Sequence, residues 1–128
     1  MTEIDPRFKS PYNHDINNPH EACRYDEGKP RVELVPSALI LEAAKVLTFG
    51  AQKYGSHNWT KGLPWLQPYA SAMRHLLAWH RGEDLDSESG LPHLAHAIVN
   101  LAMLLHYSKY KIGRDNRLDP NTGQEKKE

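Results

Sequence analysis

Three stretches of the chain repeat their apolar residues at helical spacing. From Pro36 to about Phe49, Leu39, Ile40, Ala43, Ala44, Val46 and Leu47 cover more than half of a helix circumference. Proline suits the first helical turn, and Gly50 reads as the stop. A stripe that wide is normally buried on two sides. From about Pro68 to Arg81, ahead of Gly82, the residues Tyr69, Met73, Leu76, Leu77 and His80 follow the i, i+4, i+7, i+8, i+11 pattern of a core face. The third stretch opens at Pro92, with Ser89 or Gly90 as a cap, and continues to about Lys111. Leu94, Ile98, Leu101 and Leu105 make its expected core stripe. Ala95, Val99 and Ala102 make a second stripe of smaller residues, suited to close helix contact.

The flanks have no such period. Residues 1–35 carry turn signals at Asn17, Asn18 and Pro19 and again in "DEGKPR", and read as an extended N-terminal arm with one short strand at Val32–Val35. Residues 113–128, "GRDNRLDPNTGQEKKE", are almost without apolar side chains and predict a flexible tail. The expected fold is therefore an all-α helical bundle over residues 36–112. Three helices with surplus apolar surface seldom make a satisfied monomer, so a homodimer or homotetramer is expected to complete the bundle.

Composition narrows the function classes. A chain of 128 residues reads as one domain. Sixteen basic and sixteen acidic residues cancel, so no global field draws it to nucleic acid or to an anionic membrane. No apolar run approaches a membrane span. The single cysteine, Cys23, forms no internal disulfide and fits a reducing cytoplasm. Eight histidines raise the expectation of a chemical site, because histidine is the commonest metal ligand and a frequent acid/base group.

Those histidines meet carboxylates in "GEDLDSESGLPHLAHA". On the third helix His93, His96 and Asn100 share about one sixth of the circumference at roughly 100° per residue. If helices two and three are antiparallel across this short turn, Glu83 and Asp86 lie near His93 and His96, and His75 borders the same pocket. A mixed carboxylate and imidazole site binds a divalent cation. Acids before a helix N-terminus are also favoured by its dipole without any metal, and both readings stand at this point. An EF-hand is excluded, since counting from Asp84 puts Ser89 where glycine belongs and Ala95 where the bidentate glutamate belongs. Between helices one and two, "GAQKYGSHNWTKGLPWLQ" offers Lys53 and Lys61 for phosphate, Tyr54 or Trp59 for base stacking and Asn58 for a base edge. Trp59 plugging the core is the equal alternative.

The segments "KPRVELVPSALILEAAKVLTFGAQKYGSHNW" and "RHLLAWHRGEDLDSESGLPHLAHAIVNLAMLL" resemble the phage-associated dATP/dGTP diphosphohydrolase family. Its relatives are the all-α NTP pyrophosphatases of the MazG type, among them the MazZ enzymes. The resemblance covers Lys29 to Leu105 and is densest in "FGAQKYG", "NW" and "GEDLDSESGLPHLAHA". It implies hydrolysis of a purine dNTP between the α- and β-phosphates, giving dNMP and pyrophosphate in the host cytoplasm. The implied cofactor is Mg²⁺ or Mn²⁺, with Co²⁺ as a further option, neutralising phosphate charge and activating a water. On this sequence the implied metal ligands are Glu83, Asp84, Asp86, His93 and His96, with Glu83, Asp86, His93 and His96 also in the catalytic role. Lys53, Tyr54, Asn58, Trp59, Arg74 and His75 would contact the nucleotide. MazG-type enzymes hold their metals through an EExxE stretch on one helix and ExxD on the next. Here those places read "RHLLAW" and "HLAH", which leaves room for a protein that sequesters a nucleotide without cleaving it.

Overall fold

The computed structural model describes residues 5–12 and 17–126. Parts of the predicted arm and tail, residues 1–4, 13–16 and 127–128, lie outside the described residues. The chain divides into two units, residues 1–36 and 37–128.

In the first unit two 3-10 turns, Pro6–Phe8 and Val32–Leu34, are the regular elements among the described residues. Asp5 caps the first, accepting from the Arg7 backbone N–H at 2.9 Å. Phe8 and Gly28 are tied by a backbone hydrogen bond, and the Tyr12 hydroxyl donates to Glu33 at 2.8 Å. The strand expected at Val32–Val35 is a 3-10 turn instead. The Val35 N–H closes back onto the Val32 carbonyl, so a segment with no neighbouring strand satisfies its backbone locally.

The second unit is a three-helix bundle with no β-sheet among the described residues, consistent with the MazG-type architecture: α1 (Ser37–Tyr54), α2 (Leu66–His80) and α3 (His93–Tyr110). α3 is central, packed along α2 and, over a shorter length, along α1. α1 runs one turn beyond its expected stop. Gly50 lowers helix stability by only about 1 kcal/mol relative to alanine, and the good helix formers Ala51, Gln52 and Lys53 carry the helix on. It ends at Gly55, whose φ of 92° and bond to the Ala51 carbonyl form the true C-terminal cap. That extension places Lys53 and Tyr54 on the helix rather than in the following loop.

α2 starts two residues earlier than the pattern predicts, because partners from the far side of α3 satisfy its first N–H groups. The Leu66 N–H donates to Asn116 at 2.9 Å, and Trp65 donates its backbone N–H to Arg114 and its indole N–H to Ile112. Gly113, at φ 77°, makes this crossing possible: a Cβ there would collide with the Leu63 carbonyl.

The core differs from the expected stripes. Val46, Ala95 and Val99 form a buried cluster with Ala43, Leu91 and Met103 packed around it. Ala72, Ala78, Ala97 and Tyr107 are also buried. The expected core leucines face outward instead: Leu77 is 51% exposed, Leu101 50% and Leu105 70%. Two apolar stripes compete on α3: Ala95 and Val99 of the small-residue stripe are buried, where they let the helix axes approach closely, whereas Ala102 is exposed and Ile98 of the larger stripe is half-buried. No helix among the described residues is long and apolar enough to cross a membrane.

Candidate metal and nucleotide site

The turn from α2 to α3 is closed at both ends by backbone geometry. Gly82, at φ 97°, ends α2: its N–H bonds the Trp79 carbonyl and the Glu83 N–H bonds the Ala78 carbonyl, a Schellman pair. At the other end Asp84 and His93 are joined by a backbone hydrogen bond, and Leu85 pairs with Pro92. No side chain caps α3. Within the turn, one Asp86 carboxylate oxygen accepts from both the backbone N–H and the hydroxyl of Ser89, each at 2.9 Å. The Ser89 hydroxyl oxygen also lies 2.7 Å from His96 Nε2.

This clasp delivers Asp86 to three imidazoles. His75 Nδ1 and His93 Nδ1 lie 2.8 Å apart, close enough to share one proton. His75 stacks on His96 with ring centroids 4.5 Å apart and planes 8° from parallel. His75, Asp86 and His93 each offer a ligand atom, all within 4.8 Å of one another, and this group could hold a divalent metal. His93 is buried, and its Nε2 has no hydrogen-bond partner; the nearest carboxylate oxygen, on Glu83, is 3.6 Å away.

Electrostatics favour neutral imidazoles beside an ionised carboxylate. Burial pushes the pKa of His75 and of His96 down, and the neighbouring histidines add to the effect against the opposing pull of Asp86. Burial acts to raise the Asp86 carboxyl, but the Ser89 hydrogen bonds and the nearby histidines hold it below its ordinary value.

The cluster opens into a cavity of about 720 Å³, within the range of small-molecule sites. His75, Asp86 and His96 line it together with Lys53, Tyr54, Asn58 and Trp59, and Val99 and Met103 add apolar lining. Trp59 sits in the 3-10 turn Asn58–Lys61, edge-on to His106 at 4.9 Å, and its carbonyl accepts from the buried Tyr107 hydroxyl at 2.5 Å. Both expectations for Trp59 thus have a physical counterpart, since it packs against α3 and also faces the cavity. At the mouth the Lys53 ammonium meets Glu88 at 2.5 Å and lies over the Tyr54 ring.

Lys53, Tyr54, Asn58, Trp59, His75, Asp86 and His96 are thus brought to one cavity, with His93 bonded to His75 behind it. Arg74 does not line it, and neither do Glu83 and Asp84. Ser89, read from sequence only as a cap, Asn100, read only as sharing the face of His93 and His96, and Ser71 join the site. The serine three residues after an aspartate was the available signal, because that spacing lets its N–H and hydroxyl close onto the carboxylate.

A family model described as dATP/dGTP diphosphohydrolase, N-terminal, matches residues 19–117. A dATP/dGTP diphosphohydrolase of Salmonella phage PMBT28 is 34% identical over 94 residues, covering 73% of this chain and 32% of the phage protein. The chain therefore spans well under two thirds of that relative's length. No solved structure matches.

Proposed function

Because the chain belongs to the dATP/dGTP diphosphohydrolase family, we propose that it cleaves a purine dNTP between the α- and β-phosphates, releasing dNMP and pyrophosphate. The observation that carries this reading is the His75–Asp86–His93 group, two of whose members line a nucleotide-sized cavity that Lys53, Tyr54, Asn58 and Trp59 also line. Tyr54 and Trp59 offer ring faces to a base, and Asn58 offers an amide to its edge. Lys53 exchanges Glu88 for phosphate oxygens, a swap of one anionic partner for another.

His75, Asp86 and His93 would hold a divalent ion, with Mg²⁺, Mn²⁺ and Co²⁺ as the candidates. When bound, such an ion supplies charge neutralisation and Lewis-acid polarisation at a phosphoryl oxygen. Ser89 holds the Asp86 carboxylate in place, while Glu83 lies 3.6 Å from His93 Nε2, outside the ligand group and not bonded to it. His96, stacked on His75 and held largely neutral by burial, is positioned to take a proton from an attacking water. The outward leucines of α2 and α3 support the expectation of a homodimer or homotetramer.

Incubation of the purified protein with each dNTP and each of the three ions, followed by chromatography of the products, tests the reading. Monophosphate with pyrophosphate from dATP or dGTP is expected. Tight binding without turnover in any metal would favour nucleotide sequestration, which the single carboxylate of the metal group makes the second reading.

A further inference from the structure

We propose that the His75–Asp86–His93 group selects a late first-row transition ion, of the Co²⁺, Fe²⁺ or Zn²⁺ class, over Mg²⁺. The inference rests on the metal-dependent reading above and goes further, to the identity of the ion.

The donor set decides it. The three residues that can reach one point supply two imidazole nitrogens and one carboxylate oxygen, with a third imidazole, His96, stacked alongside. Mg²⁺ is a hard ion that prefers oxygen ligands in strict octahedral geometry and gives up its waters reluctantly. Imidazole nitrogen instead suits iron, nickel, copper and zinc, and affinity for a mixed nitrogen and oxygen site rises along the first row beyond manganese. Two histidines and one carboxylate also leave coordination positions open, which a phosphate needs.

The other carboxylates of the turn do not make up the oxygen count. Glu88 is paired with Lys53 at 2.5 Å. Glu83 is 3.6 Å from the far nitrogen of His93, and neither Glu83 nor Asp84 joins the ligand group or lines the cavity. The one oxygen ligand present, Asp86, is already oriented by two hydrogen bonds from Ser89. His93 presents its Nδ1 to His75 at 2.8 Å, while its buried Nε2 lies 3.6 Å from the nearest Glu83 oxygen, beyond hydrogen-bond range.

The test uses untagged full-length protein, stripped of metal, and no nucleotide. Co²⁺ is titrated while its visible ligand-field absorption is recorded, and Mg²⁺ is then added in large excess. One equivalent of Co²⁺ should develop the band, the excess of Mg²⁺ should leave it in place, and Co²⁺ but not Mg²⁺ should raise the melting temperature. His75→Gln and His93→Gln should each weaken Co²⁺ binding by about a hundredfold or more. His75→Gln keeps the measurement informative if replacement of the buried His93 prevents folding. Absence of the band, displacement by Mg²⁺ at similar concentration, or wild-type Co²⁺ affinity in a folded His75→Gln protein would each overturn the proposal. Because nucleotide is absent, intact Co²⁺ selectivity without turnover would remove the hydrolase reading alone. Turnover with Mg²⁺ and no Co²⁺ site would remove this inference alone.

Discussion

One end of α3 buries a histidine, and the other exposes leucines. His93 is 5% exposed, whereas Leu105, three turns along the same helix, is 70% exposed. An isolated globular domain normally does the reverse, since burying an imidazole loses hydration and burying a leucine stabilises by about 1.5–3 kcal/mol. The two regions differ in what they are connected to. The imidazole end is linked within the chain: His93 to His75, His75 stacked on His96, His96 to Ser89 and Ser89 to Asp86. The leucine end of α3 lines a shallow cavity with Tyr69 and Trp65, and Leu101 and Leu105 of that end are exposed. The polar site is therefore assembled by one copy of the chain, while the apolar face is of the kind a second copy completes.

The largest effect should come from the polar region. Asp86→Asn preserves shape but removes the charge of the carboxylate proposed as metal ligand, and turnover of dATP or dGTP should fall by about a hundredfold or more with the helical circular dichroism unchanged. Near-wild-type turnover would dissolve the distinction between the two ends of α3. Next comes the apolar region, where Leu101→Glu with Leu105→Glu should convert the assembly to monomers in light scattering. Each buried interface leucine contributes on the order of 2 kcal/mol, whereas at a truly solvent-facing site both changes would stay within about 0.5 kcal/mol. Trp59→Ala should weaken nucleotide binding by about 1–3 kcal/mol in a calorimetric titration. An unchanged affinity would make Trp59 only the partner of His106 and Tyr107. The smallest effect belongs to Glu83→Gln, whose carboxylate is 3.6 Å from His93 Nε2 and makes no hydrogen bond to it, with metal affinity reduced by no more than about tenfold. A loss as large as that of Asp86→Asn would return Glu83 to the ligands.

Much of this layout was legible in the order of residues. Helical period and Gly82 mark where elements turn, and the spacing of His93 and His96 puts them beside the acidic turn; the pattern does not mark Gly55, the actual end of α1. Which stripe of α3 faces inward was not legible, because Leu94–Leu101–Leu105 and Ala95–Val99 are equally periodic. Only the neighbouring helix, approaching closely enough to need small side chains, decides between them. Gly50 misled for a related reason: a glycine weakens a helix locally, but cooperative propagation depends on the residues that follow. The roles of Glu83 and His75 depend on a tertiary distance. His75 lies 18 positions before the histidine it touches, and no local pattern marks that pair.

The most direct test is a crystal structure with Co²⁺ and a dATP analogue non-hydrolysable between its α- and β-phosphates, read through the anomalous signal of cobalt. The account predicts one cobalt peak bonded to His75, Asp86 and His93, with phosphate oxygens completing its coordination and the base between Tyr54 and Trp59. A peak on Glu83 and Asp84 with the three histidines unligated, or a nucleotide bound elsewhere than this cavity, would contradict it.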